Sequence, residues 1–531
     1  MNVSLGRDGT YWTSRSPVMA KNTACTSQPL ATSAGLDIMK AGGNAVDAAV
    51  AMAACMTVVE PTTNGIGSDM FAIVADDTGT LHGLNASGKS PAGWTRDRFE
   101  GDSMPSLGWD AVTVPGCVSG WAQLSEKFGK LPFEKLMEPA VHYARNGYAV
   151  SPIIASYWRS APRRFGQFEE FSKVFLPNPS AGEVWKSEDH ATTLEDIGRT
   201  KGETFYRGEI AKKIAAAAEA DGGAMTEADL AEHEPIWFDE AGLVSSEGFG
   251  VTLYEIPPNG QGIAATMAWR ISQELADSMD VADWYSADGL HLQLEAMKVA
   301  FADLYAHVAD SDAMTYDPKS LVDPAYLAER AKLVNASKAE VYAAGVPKRG
   351  GTINLTAADE SGMMVSLIQS NYAGFGSGIV VTGTGIAMQN RGAGFALDKG
   401  HPNEVGPRKR PFHTIIPGFV KKDGKPELAF QLMGGPMQAQ GHLQMMLHIY
   451  AAGRGIQQAI DAPRWQIVQG HEVIYEKGFD DATIENLKKR GHLLEPRNFV
   501  GFGGCQMIQR LPNGYFSAAS DPRKDGHAAG Y

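Results

Sequence analysis

The sequence predicts a mixed α/β (α+β) fold, on three observations. Alanine-rich and amphipathic helical patterns dominate the first two-thirds of the chain. After the polar, glycine-rich stretch Pro347-Lys348-Arg349-Gly350-Gly351 the pattern turns strand-like. The 531 residues include 59 glycines and 28 prolines and are 44% hydrophobic, the composition of a globular chain rich in turns.

Taken in order, residues 31–60 read as one or two helices, with Gly42-Gly43-Asn44 as the break. Residues 70–75 and 81–84 flank Asp76-Asp77-Thr78-Gly79 and predict a hairpin. Residues 116–147 return to a helical pattern, and 210–220 form an alanine helix stopped by Asp221-Gly222-Gly223. Leu290, Leu294, Met297 and Phe301 recur at helical spacing and predict an amphipathic helix over 290–307. Past the junction, residues 352–357 and 363–369 predict two strands around the turn Asp359-Glu360-Ser361-Gly362.

Charge narrows the function. Lys and Arg number 47 against 61 Asp and Glu, a net charge of −14, and this argues against nucleic acid and anionic membranes as partners. No segment approaches the ~20 apolar residues that a membrane span needs. The opening residues lack an apolar signal core. Cys25, Cys55, Cys117 and Cys505 are scattered, so reduced thiols and a cytoplasmic location are expected.

Several motifs read as structure. Residues 83–90 fit the phosphate-binding pattern GxxxxGK[ST], but Pro91 disfavours the helix that this chemistry requires, so a hairpin or substrate-facing loop is expected. Gly383-Thr384-Gly385 and Gly501-Phe502-Gly503-Gly504 are incomplete dinucleotide patterns and read as turns. His291 and Glu295, four residues apart on one helix, read as a hydrogen-bonded pair rather than metal ligands. No metal or cofactor is expected, and no GxSxG elbow occurs.

Thr352 sits where the chain changes character. Were the Gly351–Thr352 bond to break, the new α-amine would titrate near ~8 and serve as base beside the hydroxyl. Gly-Gly-Thr is also an ordinary loop entering a strand. Gly434-Gly435 follows the apolar run 428–433, where a strand end could present successive N–H groups to an oxyanion, or simply turn.

These pieces occur in one order, and the chain resembles the γ-glutamyltranspeptidase family of N-terminal-nucleophile (Ntn) hydrolases. The resemblance runs from Gly42-Gly43-Asn44-Ala45-Val46-Asp47-Ala48-Ala49 through Glu60-Pro61, Gly65-Ile66-Gly67-Ser68-Asp69, Val114-Pro115-Gly116 and Pro257-Pro258-Asn259-Gly260-Gln261-Gly262. It continues through Gly376-Ser377-Gly378, Arg410-Pro411 and Gly434-Gly435 to Ser520-Asp521-Pro522-Arg523-Lys524-Asp525-Gly526. It implies a four-layer αββα sandwich made as one precursor. A cut before Thr352 would give residues 1–351 and 352–531, two chains associated in one intertwined domain, with a higher oligomer possible. It also implies Thr352 as nucleophile, Ser370 as supporting hydroxyl, and Gly434 and Gly435 as oxyanion donors.

The matching substrate pocket departs from the γ-glutamyl pattern. Ser87 stands where the family has a carboxylate-binding arginine, and Arg391 and glycines replace the segment bearing the ammonium-binding acid. His413-Thr414 replaces a serine pair, and Asn371 lies beside Tyr372, where the asparagine is expected. A zwitterion needs one partner of each sign when desolvated. The changes therefore favour an acyl group with a carboxylate and no α-amine, gripped by Arg391, with Lys89 as a second candidate. A structural salt bridge is the equally weighted alternative for Arg391. The expected activity is hydrolysis of a small-molecule amide, oxamate-like or glutaryl. Glutathione hydrolysis or γ-glutamyl transfer, and a catalytically degenerate member, are the alternatives.

Overall fold

The computed structural model describes residues 15–279, 281–345, 356–497 and 501–531. Gly351, Thr352 and the first residues of the strand expected at 352–357 lie outside the described residues.

The helical pattern near the start resolves into α1 (Pro29–Lys40) and α2 (Ala45–Val59). Asn44 separates them by capping α2. Its side chain accepts from the Asp47 amide at 2.9 Å, and the Asp47 carboxylate accepts from the Asn44 amide at 3.0 Å. The expected hairpin is β3 (Asp69–Ala75) and β4 (Leu81–Ala86). The phosphate-loop look-alike spans β4 and the loop after it, where the Lys89 carbonyl accepts from the Val114 amide at 3.0 Å, and no helix opens at Ser90.

Two antiparallel sheets of seven strands stack face to face. One runs β1 (Val18–Ala20), Phe516–Ser520, Gly504–Arg510, Lys425–Met433, Pro417–Lys422, Val251–Glu255 and Val244–Gly248. The other runs His527–Gly530, β2 (Thr23–Thr26), Ala357–Ala358, Met364–Ser370, β3, β4 and Ile236–Asp239. Each sheet contains strands from both sides of the expected cut.

Three apolar cores separate four layers. Phe71 and Ile73 meet Phe419, Ala429 and Ile508 between the sheets. Outside the second sheet lie α1, α2, α3 (Cys117–Phe128) and α4 (Phe133–Asn146). Outside the first lie the helices Gly262–Ser278, Ala287–His307 and Met437–Met446. This is the αββα order that the family resemblance implied. The amphipathic reading of residues 290–307 is corrected: positions from Gly289 to Phe301 are buried all round, including Glu295 and Lys298, which pair at 2.7 Å. All four cysteines are buried and free.

Candidate active site

One face of α2 forms a wall of a cavity of about 520 Å³. Ala49, Met52, Ala53, Met56 and Glu60 recur at helical spacing, so they line up in one stripe facing it. Thr26 and Ser27 from the end of β2, Ile368 to Ser370 from the strand Met364–Ser370, and Thr356, where the described chain resumes, form the walls beside it.

Gly434 and Gly435 close another side, just past the strand Lys425–Met433. Their φ values, +134° and +59°, suit glycine. Their carbonyls accept from the amides of Met437 and Gln438 at 3.2 and 3.1 Å, where the helix Met437–Met446 begins. The Gln261 amide group donates to the carbonyls of Thr414 (2.5 Å) and Gly435 (2.8 Å) and ties the turn to the facing loop. Among the described residues neither the Gly434 nor the Gly435 N–H finds an acceptor. Two backbone donors are therefore open beside the cavity, the arrangement an oxyanion needs. Ser370 Oγ accepts from the Tyr372 amide at 2.8 Å, which leaves its own proton free to donate.

The structure sorts the expected substrate residues into two groups. Thr414 and Tyr372 line the cavity with Ser370, Gly434 and Gly435. Arg391, Asn371, His413 and Ser87 are fully buried and do not line it, and Lys89 is exposed elsewhere. Arg391 reaches the cavity only through its neighbours. Its Nη1 donates to Thr414 Oγ1 at 2.8 Å and its Cζ lies 4.4 Å from the centroid of the Tyr372 ring. Asn371 Oδ1 accepts from the Ser68 hydroxyl at 2.8 Å, and the Ser87 hydroxyl donates to Asn85 at 2.8 Å.

Behind this wall lies a network the sequence did not disclose. His413 Nε2 is 3.2 Å from Asp69 Oδ2, and Asp69 Oδ1 accepts from the amides of Gly88 and Gly116. Burial pushes the Asp69 carboxyl up to about 7 against the pull of Arg391. Burial, aided by Arg391, holds His413 well below the ordinary histidine range, so the imidazole is neutral. Glu60 and Lys524, quoted above only as parts of family segments, both face the cavity. Helical spacing along α2 was the signal that could have placed Glu60.

His291 and Glu295 do not bond to each other, which corrects the paired reading. His291 shares a hydrogen bond with His492 at 2.8 Å and another with the Asn335 carbonyl at 2.7 Å. His291, Glu295 and His492 bring three ligand-type atoms within 4.8 Å. The Lys298 ammonium, 2.7 Å from Glu295, already supplies the positive charge there.

The gamma-glutamyltranspeptidase profile matches residues 31–531. The chain belongs to the gamma-glutamyltranspeptidase family. It is accordingly an enzyme of the family's class, amidohydrolase or acyltransferase, acting on C–N amide bonds. It is 33% identical to a glutathione hydrolase-like YwrD proenzyme of Bacillus subtilis, over 97% of this chain and 99% of that one. It is 32% identical to an oxamate amidohydrolase proenzyme of Klebsiella pneumoniae, again over 97% and 99%. A cephalosporin acylase from Bacillus halodurans superposes with a TM-score of 0.93 at 42% identity, covering 99% of each chain. The family's gamma-glutamyltransferases and acylases thus share this fold.

Proposed function

We propose that this family member cuts itself between Gly351 and Thr352 and then hydrolyses an amide through a Thr352 acyl-enzyme. The observation that carries the reading is the meeting of Thr356, Ser370 and the open amides of Gly434 and Gly435 around one cavity. Ala357 pairs with Val365 and Ala358 with Met364. Ser370 ends the strand with which Ala357 and Ala358 pair. The α-amine of Thr352 would take the hydroxyl proton as Oγ bonds to the amide carbon. The two glycine N–H groups would hold the oxyanion, and the proton would pass to the leaving nitrogen as the C–N bond breaks. Water would then attack the ester, give up a proton through the same amine, and release the acid and the free threonine.

An acyl group bearing a carboxylate and no α-amine suits the cavity. Glu60 is its one carboxyl among the described residues, and burial pushes that group up, which weakens it as an ammonium partner. The names of the relatives span this range, from oxamate amidohydrolase to cephalosporin acylase and glutathione hydrolase. Glu60 is also the observation that favours γ-glutamyl amides as a second reading.

Denaturing mass spectrometry of the protein beside Thr352→Ala tests the proposal. Two fragments parted at 351/352 are expected, with the variant left whole and inactive. Glutaryl and oxamate amides should be hydrolysed faster than γ-glutamyl amides. An active variant would remove Thr352 from the mechanism.

A further inference from the structure

We propose that Lys524 receives the carboxylate of the acyl group, an assignment that rests on the amidohydrolase reading above. Among the described residues it is the one cation in the cavity wall. Its Nζ meets the Tyr157 hydroxyl at 2.5 Å and lies 4.9 Å from that ring's centroid, and it forms no ion pair with a described residue. Glu60, the carboxyl in the same wall, is already satisfied by the hydroxyls of Ser27 (2.7 Å) and Thr63 (2.8 Å). Its pull reaches Glu60, but no carboxylate pairs with it among the described residues, so the ammonium can still take one in this cavity. A carboxylate leaving water needs such a partner.

Two features aim the side chain. Residues 520–526 are locked by Asp521, which accepts from Arg464 at 2.6 Å, the Cys505 amide at 2.7 Å and the Arg523 amide at 2.8 Å. The lysine stem then crosses Gly504, where a Cβ would sit 2.4 Å from Lys524 Cγ. Gly504 adjoins Gly503, whose Cα lies 3.2 Å from where a Cβ on Gly434 would be. The stem thus runs beside the turn that carries the two open amides. Arg391 has no such access, because Thr414 and Tyr372 stand between it and the cavity.

Glutarate and neutral glutaramide are the probes. Calorimetry on the parent should show glutarate bound more tightly than glutaramide, and Lys524→Met should weaken glutarate at least tenfold while leaving glutaramide unchanged. On the unaltered protein, glutarate should protect Lys524 from reductive methylation and leave exposed Lys89 unprotected, so the assignment stands or falls even if the variant folds poorly. Equal glutarate affinity in parent and variant, no glutarate binding by the parent, or labelling of Lys524 unaffected by glutarate overturns it. Cleavage at 351/352, read by mass in the same samples, separately judges the nucleophile.

Discussion

A single methyl group at Gly434 is the sharpest probe of the proposed chemistry. Its φ is +134°, and an added Cβ would lie 3.1 Å from Met437 Cβ and 3.2 Å from Gly503 Cα, so the turn must move. Gly434→Ala should lower kcat by roughly 10²–10³, the typical cost of losing one oxyanion donor, with KM changed far less. A rise in KM at unchanged kcat would place these amides away from the reacting atom. At this scale the sequence was legible where residues end strands: Ser370, Gly434 and Gly435 lie at or just past strand ends and line one cavity. It was illegible where a role depends on which way a side chain points. Arg391 and Ser87, expected in the substrate pocket, are both turned into buried hydrogen bonds. Lys524 and Glu60 face one cavity only because the folded chain brings the tail beside α2.

Among the elements, α2 connects stability to the site most directly, since the helix that Asn44 caps also carries the cavity's apolar stripe. Asn44 further donates through Nδ2 to the Phe128 carbonyl at 2.6 Å. Asn44→Ala should cost at least ~1 kcal/mol, seen as a lower urea midpoint at unchanged slope. An unshifted midpoint would mean that neighbours, not the cap, hold the helix start. The Asp359 carboxylate offers one such neighbour, accepting from the Ala45 amide at 2.6 Å. Local pattern sufficed for α1, α2, the β3–β4 hairpin and the turn at Asp359, where breakers and caps are strong. It also found the helix Ala287–His307 but not its all-round burial, because packing on several sides buries even charged residues such as Glu295 and Lys298, which periodicity alone does not show. Sheet order was equally hidden: the short strand Ala357–Ala358 sits between β2 and Met364–Ser370, and only the second of these is its sequence neighbour.

For the whole molecule, the interleaving of strands sets how the cut protein behaves. β2, from the first segment, is flanked by His527–Gly530 and Ala357–Ala358, both from the second. The two products should therefore co-elute in native size exclusion and part only in denaturant, whereas early separation would contradict the pairing. The four-layer arrangement was legible only through the family resemblance, because alternation marks a strand without saying which sheet takes it. The buried cysteines carry a practical consequence. Thiols react as thiolates, and burial pushes Cys25 up to about 12 and the other three higher still. The native protein is thus a blank background for maleimide dyes. One cysteine engineered onto the surface of each segment would accept label alone, and the light exchanged between the two dyes would time the cut as it happens.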